Sequence, residues 1–164
     1  NVVWHYSDGA STIPSSALKG NILYVPSQGL TALKISEDGK SFTQKWRSGR
    51  LRPGTASPLA YRNHIYSLNN AGVLACADID SGKRLWQLRL DGPFGGSPIV
   101  AGNHLYVFSE EGVAQVVDLT APEGDISGKM DLGEMIQCSP AVANGALYVR
   151  SNSRIWKIAR KTRL

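Results

Sequence analysis

The chain has 164 residues, 42% of them hydrophobic and 19% charged, with a formal net charge of +5. That is enough for one domain with a real core and short for two, and no apolar run is long enough to cross a membrane as a helix, so a soluble chain is expected. Cys76 and Cys138 lie in apolar runs without CxxC or Cys/His spacing, which argues against a zinc site or a disulfide framework and makes buried free thiols the expectation.

The opening segment, VVWHYSDG, places Val2, Val3 and Trp4 ahead of Asp8-Gly9 and reads as a lone strand. Neither an initiator Met nor a signal-type leader stands at Asn1, so a processed chain, or one cut from something longer, is expected. A unit then begins that occurs four times: PSSALKGNILYVPSQGLTALKI from Pro14, TASPLAYRNHIYSLNNAGVLACADI from Thr55, GGSPIVAGNHLYVFSEEGVAQVVDL from Gly95 and QCSPAVANGALYVRSNSRIWKIA from Gln137. Tyr24, Tyr66, Tyr106 and Tyr148 hold one place in the unit and recur about every 40 residues, the period of four-stranded propeller blades. Inside each unit, three β-branched or aromatic runs are separated by turn pairs. Lys19-Gly20, Arg62-Asn63, Gly102-Asn103 and Asn144-Gly145 mark the first turn, and Gln28-Gly29, Ala71-Gly72 and Glu111-Gly112 the second. A fourth run follows in the first two units, FTQKW from Phe42 and RLWQLRL from Arg84.

The expected fold is all-β: one propeller domain, 1–164, of four-stranded antiparallel blades with strands A to D, about four blades per chain. The blades fall at approximately 14–49, 55–92, 95–134 and 137–159, with residues 1–8 completing the last one and removing two exposed sheet edges. Three assemblies satisfy this pattern: a closed ring, an eight-bladed ring made by two chains that exchange strands as a homodimer, or an arc of a larger propeller.

The hairpin CADIDSGKRLW of the second unit reads as a fastener. Asp78 can accept backbone N–H bonds across the turn, Ser81-Gly82 forms the turn, and Trp86 carries apolar area into the seam between blades. Trp46 keeps this place in the first unit, although an insertion lengthens the hairpin and Lys34 replaces the acid. The third unit keeps Asp118 but has Gly128 or a neighbour where tryptophan belongs, so that blade is expected to be held more loosely. Trp4 stands in the opening segment as Trp86 does in its strand.

The stretch SPIVAGNHLYV, its polar-Gly turn and ADIDSGKRLW resemble the repeats of pyrroloquinoline-quinone-type β-propellers, a family that includes quinoprotein dehydrogenases and outer-membrane assembly lipoproteins. Cys76, Asp78, Ser81, Gly82 and Trp86 occupy the family's tryptophan-docking motif, with Cys for Ala and Ser for Thr. The resemblance implies a non-catalytic scaffold that binds a protein or another cell-envelope component, in the periplasm or another extracytoplasmic place. It also implies an alternative, part of a quinoprotein oxidoreductase using PQQ and calcium. The family's catalytic Asp, calcium-binding Glu and Asn and vicinal cysteine pair have no match in this chain, so no catalytic, cofactor or metal residue is expected. A carbohydrate- or ligand-sensing propeller is a second alternative.

The remaining motifs have plainer readings. His64 and His104 recur at one repeat position, NHIY and NHLY, which puts them on different blades and argues against a shared metal, while His5 stands alone. Ser-Pro pairs start successive A strands and read as backbone punctuation. The basic clusters KWRSGRLR and RSNSRIWKIARKTR lack the continuous stripe interleaved with exposed aromatics that nucleic-acid binding needs, so no nucleic acid is expected. What remains is a surface. B–C turns and D-to-A crossings emerge on one face of a propeller, and here they bring Gln28, Arg50, Arg52, Asn69, Asn70, Phe94, Glu110, Glu111 and Met135 together. An exposed Phe94 or Met135 beside arginines suits a protein interface.

Overall fold

The computed structural model describes residues 1–160, in which fifteen strands and no helix occur. Blade 1 comprises β1 (Ala17–Lys19), β2 (Ile22–Pro26), β3 (Leu30–Ile35) and β4 (Phe42–Ser48); blade 2 comprises β5 (Leu59–Tyr61), β6 (His64–Leu68), β7 (Val73–Asp78) and β8 (Arg84–Arg89). Blade 3 comprises β9 (Ile99–Ala101), β10 (His104–Phe108), β11 (Val113–Asp118) and β12 (Asp125–Asp131), and blade 4 the three strands β13 (Ala141–Ala143), β14 (Ala146–Arg150) and β15 (Ile155–Ala159). Each sheet is an antiparallel meander, and the four tyrosines keep one register: Tyr24 faces Ala32, Tyr66 faces Cys76, Tyr106 faces Val116 and Tyr148 faces Lys157. The fold is a β-propeller arrangement of blades.

Burial follows position in the blade. The inner strands β6 and β7 are almost continuously buried because both of their faces meet a neighbouring blade, whereas β8 alternates exposed and half-buried residues as an outer strand must. Three apolar clusters fill the seams. Tyr24, Leu30, Trp46 and Leu51 of blade 1 meet Ile65, Ala75 and Ala77 of blade 2. Tyr66, Leu74 and Phe94 of the second repeat meet Leu105, Val107 and Val117 of blade 3. Phe108, Ala114 and Ile136 meet Leu147 and Val149 of blade 4. Among the described residues no apolar cluster joins blade 4 to blade 1, so these two blades stand at the ends of the row of seams.

Two repeated devices were not read as such from the sequence. Ser15, Ser57, Ser97 and Ser139 start the A strands, and the N–H of each of the first three donates to the hydroxyl of the next at 2.9 Å. The serine of the Ser-Pro pair is therefore a rung between blades as well as punctuation. The second device lies in the B–C turns, where Gly29, Gly72 and Gly112 have positive φ and a Cβ would come within 2.4, 2.6 and 2.4 Å of the carbonyl oxygens of Ser48, Leu90 and Glu134. The chain leaving strand D passes directly over its own B–C turn, and only glycine admits that approach.

The opening segment departs from expectation. Residues 1–8 form no strand and do not complete blade 4. They lie on blade 1 instead: Trp4 Nε1 donates to the Gly39 carbonyl at 3.0 Å, its ring sits 4.8 Å from that of Phe42, and Arg47 holds Tyr6 Oη and Asp8. The reason is local. Blade 1 offers this segment an aromatic surface, an open turn carbonyl and a cation, while blade 4 stands at the other end of the row.

Candidate functional site

The fasteners work between blades. Trp46 is 8% exposed, its Nε1 donates to Ile79 O at 3.1 Å, and a Cβ at Gly82 would lie 2.6 Å from its ring. Trp86 repeats the contact one blade further on, where a Cβ at Gly124 would lie 2.9 Å from the indole. Each ring leaves strand D of one blade and rests on the turn glycine of the next. A β-bulge precedes each site, between Ala32 and Leu33 and between Cys76 and Ala77, immediately beside the residue that faces the tryptophan. Such bulges re-aim side chains.

The turns that receive the rings are built by carboxylates. Asp78 Oδ1 accepts the Ser81 hydroxyl at 2.6 Å and the Ser81 N–H at 2.8 Å, and these bonds hold its carboxyl below the usual carboxylate range. Asp118 does the same with the N–H and hydroxyl of Thr120, at 2.8 and 2.7 Å. Cys76 is packed against Tyr66, and burial pushes its thiol up to about 12, which makes it an inert filler. Cys138, expected to be buried, is only half-buried.

The third seam differs. Gly128 faces Val116 in the register that pairs Trp46 with Ala32 and Trp86 with Cys76, with the same bulge beside it. A Cβ at Gly128 would meet only Val116, at 3.8 Å. Tyr106 is half-buried where Tyr24 and Tyr66 are 2% exposed, and a cavity of about 180 Å³ opens between Tyr106, Val116, Gly128, Met130, Leu147 and Ile158.

On the face of B–C turns and D-to-A crossings, Gln28, Arg50, Arg52, Asn70, Glu111 and Met135 are exposed, and Asn69 and Glu110 are half-buried. Asn69 and Asn70 are largely committed to the backbone: their Oδ1 atoms accept the N–H groups of Val73 and Thr55, each at 2.9 Å. Phe94 corrects the expected face. It is fully buried in the seam of blades 2 and 3, its N–H donating to Asn70 O at 3.1 Å and its carbonyl accepting the Thr55 hydroxyl at 3.2 Å. Leu51 and Ile136 anchor the other two crossings in the same buried way. The sequence did carry a signal, since Phe94 and Ile136 each stand three residues before the serine of a strand-A start.

Glu134 was missed altogether. Its carboxylate takes the hydroxyls of Ser151 and Ser153 and lies 3.1 Å from Arg154 Nη1, which ties the third crossing to the B–C turn of blade 4. The Ser151 hydroxyl holds it below the usual carboxylate range. No repeat signal marks it, because Gly92 has its place in the preceding unit. His64 and His104 lie on separate blades, facing Asp78 and Asp118 across their sheets.

A PQQ and calcium centre would need oxygen donors converging among these side chains. Calcium takes six or more oxygen ligands, whereas among the described residues no three His, Cys, Asp or Glu side chains converge. The half-buried Glu134 carboxylate already spends its oxygens on serines and arginine. The described side chains do not form such a donor set.

A family profile described as "Outer membrane protein assembly factor BamB" matches residues 38–127 and again residues 70–163. The chain belongs to the BamB family. Its PQQ-type repeats place BamB from Moraxella catarrhalis among the similar structures, at 18% identity and a TM-score of 0.74, covering 92% of this chain and 47% of that one. The chain thus spans about half the length of that BamB. The computationally designed Ika4 protein matches at 14% identity and a TM-score of 0.64 over 91% of this chain and 92% of its own. A europium-containing methanol dehydrogenase matches at 17% identity and a TM-score of 0.58, over 76% of this chain and 26% of that one. At these identities the shared property is the fold. No curated protein matches the sequence significantly. No helix among the described residues is long and apolar enough to cross a membrane.

Proposed function

We propose that this BamB-family chain is a non-catalytic scaffold that binds a protein partner in the periplasmic space of the cell envelope. The contact face is that of the B–C turns and D-to-A crossings. The observation that carries this reading is the anchoring of the crossings. Leu51, Phe94 and Ile136 pin them from below, so Arg50, Arg52, Glu111 and Met135, the last 46% exposed, are displayed on held backbone. Arginine and methionine on a held surface are the residue types that protein interfaces favour. The assembly-factor description of the matching family points the same way.

A photo-crosslinker placed at Arg52 or Met135 is expected to capture a discrete partner, and one at Gln87, exposed on the outer strand β8, is not. Arg52→Glu with Met135→Asp should abolish capture. Equal capture from both places, or capture unaffected by the double variant, rejects the face. Phe94 is unsuitable for this test because truncating it would open the core.

The same reading includes pairing of two copies. Trp4 docks on blade 1 through the turn carbonyl of Gly39, much as Trp46 docks on blade 2 through that of Ile79. Residues 1–8, which form no strand themselves, therefore lie against blade 1 as the outer strand of a neighbouring blade would, and blade 4 has three strands among the described residues. Sedimentation should show twice the 17.7 kDa chain mass. A monomer at high concentration rejects the pairing.

A further inference from the structure

The cavity at the third seam has the strand register and the side walls that flank an indole in the other two seams. In those seams the tryptophan ring lies 5.8 Å from Tyr24 or 6.0 Å from Tyr66, centroid to centroid. At the third seam Tyr106 still stands where those tyrosines stand, and Leu147 and Ile158 of blade 4 stand where Leu105 and Val117 of blade 3 close the second seam. Gly128 occupies the place of the tryptophan, its φ lies outside the left-handed region, and no atom but those of Val116 comes within 4 Å of where its Cβ would be. The tyrosine wall, the apolar wall and the space for a ring are thus present, while the C–D turn glycine that receives the indole in the other two seams has no counterpart among the described residues of blade 4.

The size agrees. A volume of about 180 Å³ compares with the roughly 150 Å³ apolar cavity that takes up benzene in a protein core. The walls are almost wholly apolar, so water gains few partners there and an aromatic guest displaces it at little cost. The notch opens to solvent past Met130 on the outer strand β12, which gives a guest a way in.

We propose that this notch is a binding site for one planar aromatic ring of indole size, supplied by a small-molecule ligand in place of the missing tryptophan. The ring lies against Tyr106 and is closed in by Leu147 and Ile158, so its binding draws blade 4 onto blade 3. The site is separate from the proposed partner face and does not depend on it.

The chain's two methionines make the test specific, because Met130 lines the notch and Met135 lies on the other surface. The full chain, labelled with methyl-13C methionine, is titrated with free indole and followed by NMR. The Met130 methyl should shift saturably through ring current while the Met135 methyl stays still. Gly128→Trp should abolish that response and raise the Tm. Should this variant fail to fold, Gly128→Leu, which fills part of the notch, should weaken indole binding at least tenfold. The proposal is overturned by an unmoved Met130, by shifts of both methyls that never saturate, or by a folded Gly128 variant that binds indole as the parent does.

Discussion

The seam between blades 2 and 3 and the seam between blades 3 and 4 are made from the same strands in the same register, with a bulge at the same place, yet they are closed differently. In the first, Trp86 crosses to Gly124, Tyr66 is sealed and Leu105 is fully buried. In the second, Gly128 sends nothing across, Tyr106 is half-open, and Leu147 remains 8% exposed beside a cavity. Besides the apolar cluster that blades 3 and 4 share, the second seam is tied at its rim by polar contacts, Glu134 reaching to Ser151, Ser153 and Arg154. Backbone pairing and the apolar interior therefore survive loss of the fastener. In stacked repeats each interface contributes its own nearest-neighbour term, so one seam can weaken without undoing the others.

The largest effect that would break this contrast is removal of an indole. Trp46→Ala should lower stability by about 3–5 kcal/mol, and Trp86→Ala, whose ring is half-exposed, by about 3 kcal/mol, both read from urea unfolding midpoints. If neither variant falls below the parent, the rings are ornaments and the seams close without them. Next in size is the receiving turn. Gly124 has a φ of +72° and a Cβ there would strike the Trp86 ring, so Gly124→Ala should cost about 1–3 kcal/mol. The same change at Gly128, where space is open and φ is ordinary, should be neutral or mildly stabilising.

A smaller effect follows from the turn carboxylates. Asp78 and Asp118 have folded-state pKa values held down by Ser81 and Thr120. A depressed folded pKa means the unfolded chain binds protons first. Their contribution is therefore present above the ordinary carboxylate range and lost as pH falls through that range and below it. Asp78→Asn should flatten this acid limb in a pH series of unfolding midpoints. An unchanged limb would detach the carboxylate from turn stability.

Much of the fold was legible because a repeat states its architecture four times. The tyrosine interval gave blade size, the turn pairs gave strand limits, and the missing tryptophan could be located to Gly128 or a neighbour, which the strand register narrows to Gly128. The opening segment was harder. Trp4 and Asp8-Gly9 identify it as outer-strand material, but a local pattern does not say which blade receives it, and the choice was settled by Phe42, Gly39 and Arg47 across the chain. Phe94 was misplaced for a related reason: topology puts its loop on a surface, while its side chain turns inward under that loop. Glu134 had no repeat partner, and the serine rungs were hidden behind the prolines that follow three of them.

Native-state hydrogen exchange of the full chain, with and without Gly128→Trp, tests most directly whether a blade is held by the indole it receives from its neighbour. The amides of β14 should exchange through openings of lower free energy than those of β6 and β10, and the variant should raise β14 protection selectively. Protection in β14 already equal to that in β6, or left unchanged by a folded Gly128→Trp chain, would contradict the account.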